Sequence, residues 1–177
     1  MHITNKKPVA LVTGSSRGIG RAVALHFARN HYHVILNCSS SAEQLEAVRK
    51  EICALPGGSC DCFLCDVSDP SQVASMFQKI SAICGQIDVL VNNAGISHIG
   101  LFTDLTDDMW SRIIQTNLSS VFYCSRAVLP SMISRKQGRI INISSMWGTV
   151  GASCEVAYSA AKSGIHGLTK ALAKELA

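Results

Sequence analysis

Little charge is present in this sequence of 177 residues, and none of it is concentrated. Charged residues make up 16% of the chain, the formal net charge is +4, and no run of Lys or Arg exceeds two residues. Proteins that bind nucleic acids or anionic membranes usually carry basic patches, because they must neutralise phosphate groups. The charge pattern therefore argues against both kinds of partner.

An apolar leader is also missing near the amino terminus. The first apolar run, from Val9 to Val12, is four residues long. Such a run suits a buried strand and is too short for an export signal or a membrane span. We therefore expect a cytoplasmic protein.

Eight cysteines are present, and an even number in a secreted protein would suggest disulfides. Because nothing indicates export, we expect free thiols. Cys60, Cys62 and Cys65 could form a metal site, but their segment has the pattern of a buried strand, whose successive side chains point to opposite faces. No second Cys/His pair follows at zinc-finger spacing, so we expect no metal.

Strand and helix signals alternate along the chain, and hydrophobic residues make up 47% of it. This order predicts a single α/β domain over residues 1–177, with a parallel sheet covered by helices on both faces and strands buried on both sides. In the first helix we expect Ile19, Val23, Phe27 and the alanines to share one face. The predicted strands are 8–13, 33–38, 59–65, 88–91 and 139–143, and the predicted helices are 19–30, 42–54, 70–83, 107–135 (broken near its start) and 157–177.

The predicted last helix has no glycine cap after it. Its apolar stripe, Ile165, Leu168 and Leu172, needs a covering layer, which could be a partner subunit or further chain. We therefore expect the sequence to be a fragment with an exposed stripe, weakly folded by itself.

A glycine-rich turn, TGSSRGIG at positions 13–20, joins the first strand to the first helix. The free backbone N–H groups and the dipole at a helix amino terminus attract an anion, and glycines let the backbone approach a diphosphate closely. Many tight turns carry two glycines, but the position after the first strand of an α/β chain favours a dinucleotide site.

Five motifs in this order resemble the short-chain dehydrogenase/reductase family over essentially the whole chain. They are the glycine turn, Asn92–Gly95, Asn117, Ser145, and Tyr158 with Lys162 four residues later. The resemblance implies a Rossmann-type doubly wound sheet that lacks the C-terminal strands of the family, and a homodimer or homotetramer. It also implies a nicotinamide cofactor held by Gly14, Ser16, Arg17, Gly18, Ile19, Gly20, Cys38, Ser39, Ser40, Asp66, Val67, Asn93, Ala94, Gly95, Tyr158 and Lys162.

The end of the second strand favours NADPH over NADH. An acid there would accept a hydrogen bond from a ribose 2′-hydroxyl and repel a 2′-phosphate. By resemblance the position is Cys38, which is not acidic, and Ser39 and Ser40 can donate to phosphate. Arg17 can pair with the same phosphate, although it could also be a solvated surface charge.

The resemblance assigns catalysis to Asn117, Ser145, Tyr158 and Lys162. Tyr158 and Lys162 share a helix face at their spacing, and a fixed ammonium lowers the pKa of a phenol. Tyr158 would then protonate a carbonyl oxygen that Ser145 orients, and Asn117 would help hold a water chain. Taken singly, each of these residues could be ordinary structure.

Across most of its length, and notably at segments 117–122 and 138–141, the sequence resembles the 3-oxoacyl-(acyl-carrier-protein) reductases of bacterial fatty acid biosynthesis. Segments 144–148 and 151–158 are instead similar to a subgroup that reduces a 5-aminopentanone group on elongation factor P. There Glu155 could pair with a substrate amine, or simply complement a helix amino terminus. A carrier protein would favour a basic docking patch, for which Arg126, Arg135, Lys136 and Arg139 are candidates. The alternative of another class is a non-catalytic NADP-binding protein or an inactive fragment.

Overall fold

Five parallel strands form one sheet in the order β3-β2-β1-β4-β5 in the computed structural model, which describes residues 7–177. The strands are β1 (Val9–Val12), β2 (His33–Cys38), β3 (Ser59–Leu64), β4 (Val89–Asn92) and β5 (Arg139–Asn142). The helices are α1 (Gly18–Arg29), α2 (Ala42–Cys53), α3 (Pro70–Cys84), α4 (Asp107–Ile114), α5 (Ser120–Arg135), α6 (Trp147–Val150) and α7 (Val156–Glu175).

The predicted α/β architecture is confirmed, and all predicted strands are present. The short helix α6 and a 3-10 turn, Phe102–Asp104, were not predicted, because neither is long enough to show a hydrophobic period. The chain runs outward from β1 to β3 and then returns to β4 on the other side of β1. The carboxyl ends of β1 and β4 therefore flank the point where ligands bind in doubly wound sheets.

Two apolar layers hold the sheet between helices, as the alternation of side chains along a strand requires. In β1, Val9 and Leu11 pack on one side with residues of α3 and α5. Ala10 and Val12 pack on the other side with residues of α1 and α2. Because helices cover β1 on both faces, every side chain of this strand has an apolar environment.

Burial on both sides was wrongly predicted for the two outer strands. β1 and β4 are buried at every position, but every residue of β5 is half-buried or exposed, and β3 is only partly covered. Both lie at the edges of the sheet, where a neighbouring strand is present on one side only.

Two helix faces also differ from the prediction. In α1, Ala24 and Ala28 are buried and Val23 and Phe27 pack against the same apolar layer, but Ile19 is 63% exposed. In α7, Ile165 is 1% exposed, so the expected exposed stripe is wrong at that position. Leu168 and Leu172 are half-buried.

The predicted break in the long helix is a π-helical turn, Gln115–Ser119, between α4 and α5. Such wide turns occur frequently at functional sites, because they reorient one side chain without ending the helix. Asn117 lies at the centre of this turn.

None of the eight cysteines, all of which lie in the described part of the chain, forms a disulfide. Cys60 and Cys65 pack in the apolar layers on opposite sides of the sheet, as the strand pattern predicts. No helix within residues 7–177 combines the length and apolarity that a bilayer crossing requires.

Candidate active site

The glycine turn leaves β1 in a conformation that favours glycine. Gly14 and Gly18 have φ angles of +63° and +56°, where a side chain would be strained. A Cβ atom on Gly20 would lie 2.3 Å from the carbonyl oxygen of Gly14. The turn therefore folds tightly back on itself and brings the start of α1 to the carboxyl edge of the sheet.

The amino terminus of α1 is suited to an anion. Its N-cap residue, Arg17, makes no side-chain capping bond, and the first turn of this helix contains no acidic residue. The first N–H groups of a helix have no intrahelical acceptor, and the dipole adds positive potential. A Cβ on Gly18 would meet no atom within 4 Å, so the approach from outside is open. These residues fit the diphosphate of a dinucleotide.

The loop after β4 is tied directly to the glycine turn. The Asn93 side chain donates to the carbonyl oxygens of Thr13 and Gly14 at 2.9 and 3.1 Å. The backbone N–H groups of Asn93 and Ala94 both donate to the Thr13 hydroxyl at 3.0 Å. Thr13 is 2% exposed, so its hydroxyl serves as a buried bridge between the two motifs. Sequence analysis did not identify this role.

The residues expected at the adenosine end divide into buried and exposed groups. Cys38 is 6% exposed and packs in the core, and burial raises the pKa of its thiol. Ser39, Ser40 and Arg17 are exposed. Of the residues predicted for the adenosine end, these three therefore have exposed side chains that can donate hydrogen bonds, and none of them is acidic.

Asp66 and Val67 follow β3 at the same edge of the sheet. The Asp66 carboxylate accepts bonds from the backbone and the hydroxyl of Ser68 at 2.9 and 2.7 Å. Val67 is 4% exposed. Asp66 is thus oriented by its own loop, while Val67 contributes mainly to the core.

Tyr158 and Lys162 lie on the same face of α7, as predicted from their spacing. The Lys162 Nζ atom is 5.6 Å from the centre of the Tyr158 ring and donates to the Ile143 carbonyl oxygen at 2.8 Å. Lys162 is 4% exposed, and burial lowers its pKa. Because little water reaches this ammonium, its field on the phenol is weakly screened.

Gly95 lies against the buried lysine and the π-helical turn. A Cβ on Gly95 would meet the Asn117 Oδ1 atom at 3.0 Å and the Lys162 Nζ atom at 3.6 Å. Asn117 is fully buried and forms both of its side-chain bonds with the backbone of Ile96. The structure therefore brings Gly95, Asn117 and Lys162 together.

Two adjacent serines after β5 have different surroundings. The Ser144 hydroxyl donates to the Lys162 carbonyl oxygen at 2.9 Å and anchors α7. The Ser145 Oγ atom accepts a bond from the Trp147 N–H at 3.2 Å. Because a hydroxyl can accept and donate at once, the Ser145 proton remains available for a substrate oxygen.

A contact between two loops borders the tyrosine. The Ser97 hydroxyl donates to the Glu155 Oε2 atom at 2.7 Å, and the Gly100 N–H donates to the Cys154 carbonyl oxygen at 2.9 Å. These bonds connect the loop after β4 to the segment that precedes α7. Ser97 carried no recognisable signal in the sequence.

Comparisons with known proteins agree with this architecture. The model of the short chain dehydrogenase family matches residues 8–177. The 3-oxoacyl-(acyl-carrier-protein) reductase of Staphylococcus aureus is 43% identical over 95% of this chain and 68% of its own length. The enzyme of the same name from Escherichia coli is 43% identical over 96% of this chain and 67% of its own length.

Solved structures give the same result. A metagenomic short-chain oxidoreductase in complex with NADP is 38% identical and superposes with a TM-score of 0.92. The match covers 97% of this chain and 76% of that one. A short-chain alcohol dehydrogenase from Sinorhizobium meliloti, described as putative, is 35% identical and superposes with a TM-score of 0.90. The match covers 96% of this chain and 67% of that one.

Proposed function

Because this chain belongs to the short chain dehydrogenase family, an oxidoreductase family, we propose that it uses NADPH to reduce a 3-oxoacyl thioester to the 3-hydroxyacyl product. The observation that carries the proposal is the desolvated Lys162 ammonium, which lies 5.6 Å from the Tyr158 ring. The same edge of the sheet carries the uncapped start of α1. The acid group and the dinucleotide cradle therefore lie at the same, carboxyl-terminal side of the sheet.

The carbonyl substrate binds with its oxygen between Tyr158 and Ser145. The glycine turn and the Asn93–Gly95 loop would hold the cofactor, which when bound would supply the hydride that the carbonyl carbon accepts. Ser145 donates a hydrogen bond to the oxygen and stabilises the charge that develops there. Tyr158 gives its phenolic proton to the same oxygen.

Lys162 makes this transfer favourable. A nearby positive charge stabilises the phenolate that remains on Tyr158. The Ile143 carbonyl oxygen fixes the ammonium by accepting a hydrogen bond from it. Asn117 holds the backbone of Ile96 in the loop beside Lys162. We therefore assign Asn117 a positioning role.

The preference for NADPH rests on Arg17, Ser39 and Ser40. All three are exposed at the adenosine end of the cradle, where their donors can meet a 2′-phosphate. Two further observations support NADPH. A structural neighbour is in complex with NADP, and position 38 is a cysteine and not an acidic residue.

The acyl carrier is supported by the relatives at 43% identity but not by two of the four basic candidates, Arg135 and Arg139. Arg135 pairs with Asp88 at 3.0 Å, and Arg139 begins β5. Both therefore lie at the amino-terminal edge of the sheet, opposite the catalytic residues. Arg126 lies 4.6 Å over the Phe122 ring. Arg135 and Arg139 therefore do not support docking of a carrier protein beside the catalytic residues, whereas Arg126 and Lys136 stay candidates. Assembly into a homodimer or homotetramer stays a prediction.

A second candidate substrate is the 5-aminopentanone group on elongation factor P. Glu155 favours it, because its carboxylate is held by Ser97 one turn before Tyr158 and could pair with a substrate amine. An aminoketone would then bind more tightly than its uncharged analogue, and a Glu155→Gln variant would lose that difference.

The test is NADPH oxidation with a short 3-oxoacyl thioester and, separately, with an aminoketone-modified protein. The Tyr158→Phe variant is expected to bind NADPH normally and to lose at least about 100-fold in kcat. The matched control is Tyr32→Phe, because Tyr32 packs on Phe27 away from the site. Unchanged turnover in Tyr158→Phe would contradict the mechanism, and NADPH binding without turnover of either substrate would favour the non-catalytic alternative.

A further inference from the structure

We propose that His33, Asp61 and Cys84 form a binding site for a zinc-type divalent cation. The site lies near the amino-terminal ends of the strands, at the opposite side of the sheet from the proposed active site. The potential ligand atoms are one imidazole nitrogen, one carboxylate oxygen and the thiol sulfur. All three lie within 4.8 Å of one another. The proposal is independent of the reductase function.

The fold brings these residues together from three elements. His33 begins β2, Asp61 lies in β3, and Cys84 ends α3. The parallel register pairs His33 with Ser59 and Ile35 with Asp61. Because side chains alternate along a strand, Ser59 and Asp61 point to the same side of the sheet. Cys84 packs in the apolar layer on that side together with Ile35.

The spacing of the ligand atoms is close to that of a tetrahedral site. Zinc bonds of about 2.0–2.1 Å to nitrogen and about 2.3 Å to sulfur place ligand atoms about 3.3–3.6 Å apart. The His33 Nε2 and Asp61 Oδ2 atoms are already 3.0 Å apart. The Cys84 sulfur lies within 4.8 Å of the other two ligand atoms, so a shift of about 1 Å would bring it to the spacing of a zinc ligand.

The orientation of the imidazole is also set. The His33 Nδ1 atom lies 3.2 Å from the Ser59 hydroxyl oxygen. When Nδ1 donates its proton to that oxygen, the lone pair of Nε2 points towards Asp61 and Cys84. Metal-binding histidines typically show this arrangement, in which a hydrogen bond to the second nitrogen fixes the tautomer.

Room and charge suit a partly hydrated cation. His33, Ser59 and Cys84 line a cavity of about 260 Å³ that opens to solvent, so a water can take the fourth position. A carboxylate and a thiolate together neutralise a divalent ion. The mixed nitrogen, oxygen and sulfur set favours zinc or cobalt over magnesium or calcium, which prefer oxygen ligands alone.

The positive charge of Lys7 lies near this site and opposes the binding of a cation. Its Nζ atom donates to the Gly57 carbonyl oxygen and lies 3.4 Å from the Ser59 hydroxyl. A cation bound at His33 would be repelled by this ammonium. Removal of the charge in Lys7→Met should therefore strengthen metal binding, whereas loss of any ligand should weaken it.

The occupied site would join β2, β3 and α3. A ligand that binds only the folded state raises the free energy of unfolding, so zinc should raise the melting temperature. The ion would stabilise the outer part of the sheet, where the edge strand β3 is only partly covered.

The experiment is a titration of the purified, metal-free protein with Co²⁺ in the presence of a non-thiol reductant, followed by competition with Zn²⁺. We expect a thiolate-to-cobalt charge-transfer absorption and tetrahedral d–d bands that zinc abolishes. Cys84→Ser should lose the charge-transfer absorption. Asp61→Asn should bind cobalt at least about tenfold more weakly, because losing even a group that only orients a metal ligand typically costs that much affinity.

Cys62→Ser is the matched control, because Cys62 is an exposed thiol that follows Asp61 and points to the other side of β3. It should keep the full absorption and the zinc-induced rise in melting temperature. The circular dichroism spectrum and NADPH affinity report folding of each variant independently of the metal. An unchanged charge-transfer absorption in Cys84→Ser, its loss in Cys62→Ser, or no absorption in the wild-type protein would overturn the proposal.

Discussion

The carboxamide of Asn117 pairs with the backbone of Ile96 through both of its polar atoms. Its oxygen accepts the Ile96 N–H at 2.8 Å, and its nitrogen donates to the Ile96 carbonyl at 2.7 Å. The π-helical turn Gln115–Ser119 aims this side chain away from its own helix and towards the loop that follows Gly95. A residue of α4–α5 thus fixes the course of the loop beside Lys162.

The first prediction concerns this pairing. Asn117→Ala leaves the two Ile96 groups without partners, and each buried group left unsatisfied costs about 1–3 kcal/mol. We expect a lower free energy of unfolding in urea and a lower kcat, since the loop next to Lys162 loses its anchor. Gln137→Ala, at an exposed position, is the control and should change stability by less than about 0.5 kcal/mol. Wild-type stability in Asn117→Ala would refute the anchoring role.

The second prediction concerns the pH dependence that Lys162 imposes on stability. Burial lowers its pKa from the ordinary value of 10.5. Between the lowered pKa and 10.5, the unfolded chain binds more protons at this residue than the folded one, so folding becomes more favourable as pH rises. We expect the free energy of unfolding of the wild type, relative to Lys162→Met, to rise with pH through this window.

Urea denaturation of both proteins at a series of pH values measures this difference. Activity provides a second readout, because Lys162→Met should lose turnover at every pH even where it is the more stable protein. A difference that stays constant or falls as pH rises would contradict the buried-ammonium interpretation.

The third prediction concerns the tight packing of the glycine turn. An added methyl group on Gly20 would lie 2.3 Å from the Gly14 carbonyl oxygen and 2.5 Å from the Asn93 side-chain nitrogen. We expect Gly20→Ala to cost about 1–3 kcal/mol, the usual scale of overpacking, and to weaken NADPH binding, because the turn must open.

Gly167→Ala offers a matched control within α7. An added Cβ there meets no atom within 4 Å, and alanine is favoured over glycine by about 0.5–1 kcal/mol in a helix interior. This variant should be equally or more stable and should bind NADPH normally, as measured by thermal melting and fluorescence titration. Equal NADPH affinity in both variants would argue against a cofactor role for the turn.

The fourth prediction concerns cofactor choice. Arg17 is exposed at the start of α1, where its guanidinium can pair with a 2′-phosphate. Hydrogen bonds to charged groups contribute about 1.5–3 kcal/mol, which corresponds to about 10- to 150-fold in affinity. We expect Arg17→Ala to raise the Kd for NADPH by such a factor and to leave the Kd for NADH nearly unchanged.

Arg29→Ala, at the exposed far end of the same helix, is the control and should affect neither cofactor. A loss of NADPH and NADH binding to the same extent in Arg17→Ala would assign Arg17 to the diphosphate or to folding instead of the 2′-phosphate.

Much of the fold could be predicted from local patterns. The apolar runs of β1 and β4 are buried on both faces by helices, so their composition identifies them directly. The outer strands were placed correctly but were expected to be fully buried, because an apolar run does not reveal which strand lies at an edge. The face of α1 was misjudged at Ile19, since a hydrophobic residue next to a ligand-binding turn has the same spacing as one in the core.

The site was predictable only where spacing along one element determines it. Tyr158 and Lys162 are one helical turn apart, so any helix brings them to one face. The Thr13 bridge, the Ser97–Glu155 contact and the group of His33, Asp61 and Cys84 join distant parts of the chain. No local pattern predicts those contacts.

The sequence by itself determined the order of strands and helices, the glycine turn with its exposed helix start, and the helical face shared by the tyrosine and the lysine. These features depend on neighbouring residues and on backbone preferences that act over a few positions. Only the tertiary structure decided which strands lie at the edges, how deeply Lys162 is buried, and which side of the sheet receives Asp61 and Cys84. Those outcomes depend on strand order and register, which are set by packing between segments far apart in the chain.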